Sequence, residues 1–198
     1  MPLYFAYGAN MDIADMAKRA PNSKPLCLAR LPRHRFIIMK EGYASVIRDA
    51  RSAVHGLLWN LAMADLKPLD RFEGLDRGLY VKINQPVILE ASLAQVVPDI
   101  ASGDASSKAK PTGAKRALVY VASSAEPGKP RPGYLESILA AAAEIGLPPA
   151  YRKELAGWSG QTTARQTMTG PVAGVTPTRA RPGGPATERA TDKWSWDG

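Results

Sequence analysis

A carboxylate does acid–base chemistry at neutral pH only where its surroundings resist its charge, and Glu73 is the residue of this chain best placed for that. It follows Leu66 by seven residues and Leu69 by four, so all three share one face of a short helix. That apolar face is the one a folded domain buries. In the last turn, before a capping Gly74, the charge of Glu73 also meets the negative end of the helix dipole. Burial and dipole both raise its pKa toward the range of a general base. The competing reading is a Glu73 neutralised by Arg71, Arg77 or Lys82, and the residues alone leave both open.

The second feature is Tyr7-Gly8-Ala9-Asn10, a turn between an aromatic, β-prone run and a helix. Free backbone N–H groups and the start of a helix make an anion site there, and Gly8 allows close approach of a ligand. A plain strand-to-helix turn is the alternative. Other templates are absent: there is no P-loop, no triple-glycine dinucleotide loop, no HExxH and no Gly-x-Ser-x-Gly elbow. His34 and His55 are far apart and read as structural, and Cys27 between Leu26 and Leu28 reads as a buried, inert thiol. No metal site and no cofactor are expected.

These residues need elements to hold them. Leu3 to Tyr7 reads as a strand, and Asp12 caps a helix running to about Arg19. Further strands are expected at 26–31, 35–39, 44–48, 53–61, 79–89 and 116–122, with helices from Asp65 to Phe72 or Glu73, over 133–145, and from Pro148 to about Trp158. Many short strands at close spacing predict a closed or strongly curved sheet.

Composition bounds the rest. The 198 residues suit one compact domain and an appendage, and 45% hydrophobic with 22% charged residues is ordinary for a globular protein. The lone cysteine excludes an internal disulfide and predicts a reducing, cytoplasmic setting. No signal-peptide pattern and no run of roughly 18 apolar residues occurs, so a soluble protein without membrane contact is expected. The net charge of +8 is scattered among acidic residues, which argues for a solvated basic surface and against nucleic acid. Residues 102–115 read as a long surface loop. Residues 159–198 hold no Leu, Ile, Phe or Tyr, while 18 of the 40 are Gly, Pro or Thr; a disordered tail is expected after a 1–158 domain, with Trp194 and Trp196 exposed or docking.

Several of these motifs occur in the order of a known family. The opening Tyr4-Phe5-Ala6-Tyr7-Gly8-Ala9-Asn10-Met11 resembles the first strand and loop of the γ-glutamylcyclotransferases, and Leu69-Asp70-Arg71-Phe72-Glu73-Gly74 followed by Gly78-Leu79-Tyr80-Val81 continues the likeness. So do Ala29-Arg30-Leu31, Val54-His55-Gly56-Leu57-Leu58-Trp59, Tyr120, Pro132-Gly133-Tyr134-Leu135 and Gly146-Leu147-Pro148 with Tyr151, covering about residues 2–157. The resemblance implies a mixed α/β γ-glutamylcyclotransferase-like fold, a small β-barrel flanked by helices. It implies a catalytic role for Glu73 and substrate contacts from Tyr4, Phe5, Ala6, Tyr7, Gly8, Ala9, Asn10, Tyr80 and Tyr134. Ala9 stands where the family commonly has Ser. The implied chemistry, which needs no cofactor, is attack of a substrate's α-amine on its own γ-amide, releasing 5-oxoproline and an amino acid or amine. Cyclotransfer from a γ-glutamylamine or another γ-glutamyl metabolite is the alternative within enzymes, and a non-catalytic binding protein of the same fold the alternative outside them. Oligomeric state is not legible.

Overall fold

In the computed structural model, which describes residues 1–92 and 113–160, five strands close into a barrel in the order β1-β3-β2-β4-β5. The strands are β1 (Leu3–Ala6), β2 (Lys24–Ile38), β3 (Ala44–Asn60), β4 (Tyr80–Ser92) and β5 (Ala114–Ala122). All neighbours are antiparallel except β1 and β5, which close the barrel in parallel with Tyr4 opposite Leu118. Four helices flank it: α1 (Ile13–Arg19), α2 (Met63–Phe72), α3 (Tyr134–Glu144) and α4 (Pro149–Ala156). The mixed α/β barrel expected from the sequence is therefore the architecture. Buried residues of all five strands, among them Phe5, Leu31, Leu57, Val87 and Val119, join Leu135 and Ile138 of α3 in one core.

The strands differ from expectation in their continuity. The segments 26–31 and 35–39 are read from sequence as separate strands because Pro32-Arg33 interrupts them, yet β2 runs through. A register shift between Pro32 and His34 absorbs the interruption, with Arg33 at a left-handed φ of 56°. Likewise 44–48 and 53–61 form the single β3, whose residues 49–52 sit opposite that shift. One long bent hairpin thus replaces four short strands.

The helices match more closely, since their signals are local. Asp12 caps α1 by accepting from the Asp15 N–H at 2.8 Å. Helix α2 starts two residues before the expected Asp65. Asp65 is buried and fixes this end: it accepts from Asn22 N and Nδ2 at 2.9 Å and from Ser23 Oγ at 2.7 Å. Burial pushes its pKa up, but these hydrogen bonds outweigh that and hold it below the usual range. At the other end Gly74 takes the left-handed conformation (φ 68°) anticipated from its place after Glu73. The last described turn, Gly157–Gly160, sets Trp158 edge-on to Phe36 at 6.2 Å between ring centres. Most of the 102–115 loop and all of 161–198 fall outside the described residues, although Ala114 and Lys115 already belong to β5. Among the described residues no helix is long and apolar enough to cross a membrane.

Candidate active site

A cavity of about 350 Å³ opens where the β1–α1 connection meets the end of α2. Glu73, the C-cap residue of α2, stands in its wall. From β1 and the connection come Tyr4, Tyr7, Gly8, Ala9 and Asn10; from the strands Tyr80 and Tyr120; from α3 Tyr134. Phe5 and Ala6, grouped with the substrate contacts from sequence, are buried in the core and do not line it. Alternation along β1 turns Phe5 away from Tyr4. Sequence reasoning also missed wall residues: Glu41, Tyr43, Ala44, Phe72, Arg77, Leu79, Tyr120 and Arg131. Most of these come from connections between elements, where no periodicity marks which way a side chain faces.

The Glu73 carboxyl is raised from 4.5 to about 7. Desolvation is the main cause and Asp70 adds to it, while the Asn10 hydrogen bond and the Arg19 charge oppose it. The residue as a whole keeps partial exposure, because the cavity reaches it, but protein atoms crowd the carboxylate. Among the described residues it has no direct ion pair. The bridging partners considered from sequence are engaged elsewhere or exposed: Lys82 grips Asp70 at 2.8 and 2.9 Å, Arg77 lies against Gly74, and Arg71 faces solvent. Instead, Asn10 Nδ2 donates to Glu73 Oε1 at 2.7 Å and to the Tyr4 hydroxyl at 2.9 Å.

The hydroxyl protons sort into two groups. Tyr80 donates to the Ala44 carbonyl at 2.6 Å, Tyr7 to the Tyr120 carbonyl, and Tyr120 to Asp70 at 2.7 Å. Their protons are committed to protein. Tyr4 instead accepts from Asn10, and Tyr134 accepts from the Ala44 N–H at 3.2 Å. Both therefore keep a proton for an acceptor in the cavity. Burial first, and the negative charge of Glu73 among the further causes, raises the pKa of both, so both stay protonated at neutral pH.

The connection is not a direct strand-to-α-helix junction as expected. A 3-10 turn, Ala9–Met11, intervenes, and the N-terminus of α1 is already capped by Asp12. The Asp12 carboxylate thus already stands at the N-terminal end of that helix. Met11 and Asp12 spend their N–H groups inside the turn, on Gly8 and Ala9 carbonyls at 3.0 and 3.2 Å. The N–H groups of Gly8, Ala9 and Asn10 precede those bonds and are not used by the turn, although that of Ala9 approaches the Tyr134 hydroxyl. Gly8 is needed for packing: a Cβ there would meet Ala44 Cβ at 3.1 Å and the Tyr134 hydroxyl at 3.3 Å.

At the outer wall Arg131 stacks over Tyr43 (4.6 Å) and donates from Nε to the Glu41 carbonyl at 3.0 Å, while Tyr43 stands edge-on to Tyr134 at 5.3 Å. Cys27, His34 and His55 take no part. Cys27 is buried and its thiol is pushed up to about 11 by desolvation. His34 is buried with Nδ1 2.8 Å from the Pro32 carbonyl, and His55 pairs with Glu90 at 2.9 Å. Among the described residues no group of three or more His, Cys, Asp and Glu is arranged to hold a metal.

A model of the AIG2-like family matches residues 53–155, a span that includes Glu73, Tyr80 and Tyr134 but not the β1–α1 connection. The γ-glutamylcyclotransferase of Homo sapiens is 26% identical over 163 residues, 77% of this chain and 76% of its own length. Among solved structures, a γ-glutamyl cyclotransferase is similar at a TM-score of 0.65 and 24% identity, over 87% of this chain and 93% of that one. A Homo sapiens protein described as uncharacterized is similar at a TM-score of 0.64 and 25% identity, with the same two coverages.

Proposed function

The chain belongs to the AIG2-like family, with γ-glutamylcyclotransferases among its relatives, and from that premise we propose that it cleaves a γ-glutamyl amide by cyclotransfer. The observation that carries the reading is Glu73: a carboxyl raised to about 7, in a cavity whose wall carries six tyrosines. At about 350 Å³ the cavity is near the lower end of small-molecule sites, which suits a dipeptide-sized substrate and no macromolecule.

The steps need no covalent enzyme intermediate. Glu73 takes a proton from the α-ammonium, and the freed amine attacks the γ-carbonyl carbon, forming the ring C–N bond. The carbonyl electron pair moves onto oxygen. Tyr4 and Tyr134, whose protons are uncommitted, and the unused N–H groups of Gly8 and Asn10 are the donors for that oxyanion. As the oxyanion collapses, protonated Glu73 gives its proton to the leaving nitrogen and the bond to that nitrogen breaks. The carboxylate then takes the surplus proton from the ring nitrogen and passes it to the departing amine, which leaves as an ammonium. 5-Oxoproline and the released amine result. Arg77 and Arg131 give the wall two positive charges to complement a substrate carboxylate. Holding the substrate in its ring-forming rotamer makes the attack intramolecular, and Tyr7, Tyr80 and Tyr120, fixed by their own hydrogen bonds, shape the wall against which it folds.

Incubation with a panel of γ-glutamyl amino acids and γ-glutamylamines, with detection of 5-oxoproline, tests the reading and identifies the leaving group. Ligand binding without 5-oxoproline from any member would make the protein a non-catalytic binder of the same fold.

A further inference from the structure

Arg19, the last residue of α1, is not a wall residue of the cavity, yet it meets the catalytic constellation at one remove. Its Nη1 donates to Asn10 Oδ1 at 2.8 Å. Asn10 is 4% exposed, and all of its carboxamide is engaged: the oxygen by Arg19, the nitrogen by Glu73 and Tyr4. A carboxamide can turn over, exchanging its oxygen and nitrogen. Turned over here, it would set its oxygen against the Glu73 carboxylate and its NH2 against a guanidinium. Arg19 makes that arrangement repulsive at both ends. Arg19 is itself held, by Asp15 at 3.4 Å on one side and by stacking 4.3 Å over the ring of Phe72, the residue before Glu73, on the other.

We infer that Arg19 is a positioning residue for the cyclotransfer proposed above: through Asn10 it fixes one oxygen of Glu73 and leaves the Tyr4 proton for the substrate. The inference rests on that reading for its kinetic consequence, though not for its structural one. If Asn10 donates to Tyr4, the Tyr4 hydroxyl cannot spend its own proton on Asn10. With Oε1 of Glu73 taken by Asn10, Oε2 is the oxygen left for the α-ammonium. Arg19 also contributes charge. The groups facing Glu73 are Asp70 from its own helix, Arg19 from α1, and the hydroxyls of Tyr4, Tyr7, Tyr80, Tyr120 and Tyr134; Glu41, Arg77 and Arg131 share the cavity wall. Arg19 is the cation among these that opposes the rise of the Glu73 pKa.

The test compares Arg19→Ala and Arg19→Lys with wild type, and Lys18→Ala as a control on the same helix. Lys18 is exposed and, among the described residues, bonds only to Asp15. For Arg19→Ala the expected result is a fall of roughly tenfold in kcat and an upward shift of about one unit in the acid limb of kcat/KM. Arg19→Lys is expected to restore the midpoint through its charge but only part of kcat, because an ammonium lacks the planar fork. Lys18→Ala should change neither. A second readout needs no turnover: the Glu73 carboxyl is titrated by carbon NMR in the free protein, where Arg19→Ala should raise its midpoint by about the same unit. Absence of 5-oxoproline from wild type would overturn the cyclotransferase reading while this titration still decides the role of Arg19. An unmoved Glu73 midpoint in a folded Arg19→Ala protein would overturn the inference. So would a lowered Tm as the sole effect of the substitution, which would reduce Arg19 to a tie between α1 and Phe72.

Discussion

Replacing Glu73 by Gln should abolish turnover and, at the same time, stabilise the protein. The carboxyl moves from 4.5 to about 7 on folding, and each unit corresponds to about 1.4 kcal/mol. Above pH 7 both the folded and the unfolded chain carry this charge, but the folded one carries it desolvated, at an upper-limit cost of about 3 kcal/mol. Below about pH 4 both states are neutral and the cost disappears. Wild-type stability should therefore contain a component that is present at low pH and lost as pH rises from about 4.5 through about 7. The side-chain amide of the Glu73→Gln protein would carry no charge to desolvate, and its carbonyl oxygen can still accept from Asn10. Glu73 keeps partial exposure to the cavity, so the expected gain at pH 8 is between about 1 and 3 kcal/mol, shrinking toward zero at pH 4. Urea unfolding of both proteins at the two pH values measures the difference. Turnover should fall ~100-fold or more through loss of the base. A Glu73→Gln protein that is no more stable at pH 8 than wild type would show that the carboxylate is not desolvated. Near wild-type kcat in the same protein would remove Glu73 from the chemistry.

With Glu73 as the base, kcat/KM should rise with pH along an acid limb centred near 7, falling tenfold per unit below it; a limb centred at the ordinary 4.5 would contradict the assignment. Gly8→Val should remove activity by driving Ala44 and Tyr134 outward, whereas Ala9→Ser should leave kcat/KM within about threefold, both read by steady-state kinetics. Deleting residues 161–198, which contain no Leu, Ile, Phe or Tyr, should change neither Tm by thermal denaturation nor 5-oxoproline release; a large fall in either would mean that Trp194 or Trp196 docks.

What the chain's sequence determines by itself is whatever depends on neighbours a few residues away. Asp12 and Gly74 bound their helices where sequence places them because capping is settled within one turn. Glu73 is legible as a carboxylate on an apolar stripe because Leu66 and Leu69 lie two turns and one turn before it. The likeness to a family adds the barrel and the grouping of the opening loop with Glu73. Tertiary structure decides the rest. Whether Pro32-Arg33 ends a strand or only shifts its register depends on the partner strand β3, and no local signal carries that. Which cation stays away from Glu73 is likewise a matter of assembly: Lys82 is drawn to Asp70 across β4 and α2, and Asn10, 63 residues away in the chain, takes the place beside the carboxylate. The donor direction of each tyrosine follows from what lies opposite its hydroxyl, a carbonyl for Tyr80 and an N–H for Tyr134, although both residues read alike in the sequence. Closing the barrel packs α3 against the Ala9–Met11 turn and α1 against α2, bringing Arg19, Asn10, Tyr4 and Glu73 into one hydrogen-bonded chain. Hydrogen bonds act over about 3 Å, so a site built from them exists only after the distant segments that carry it have been brought together.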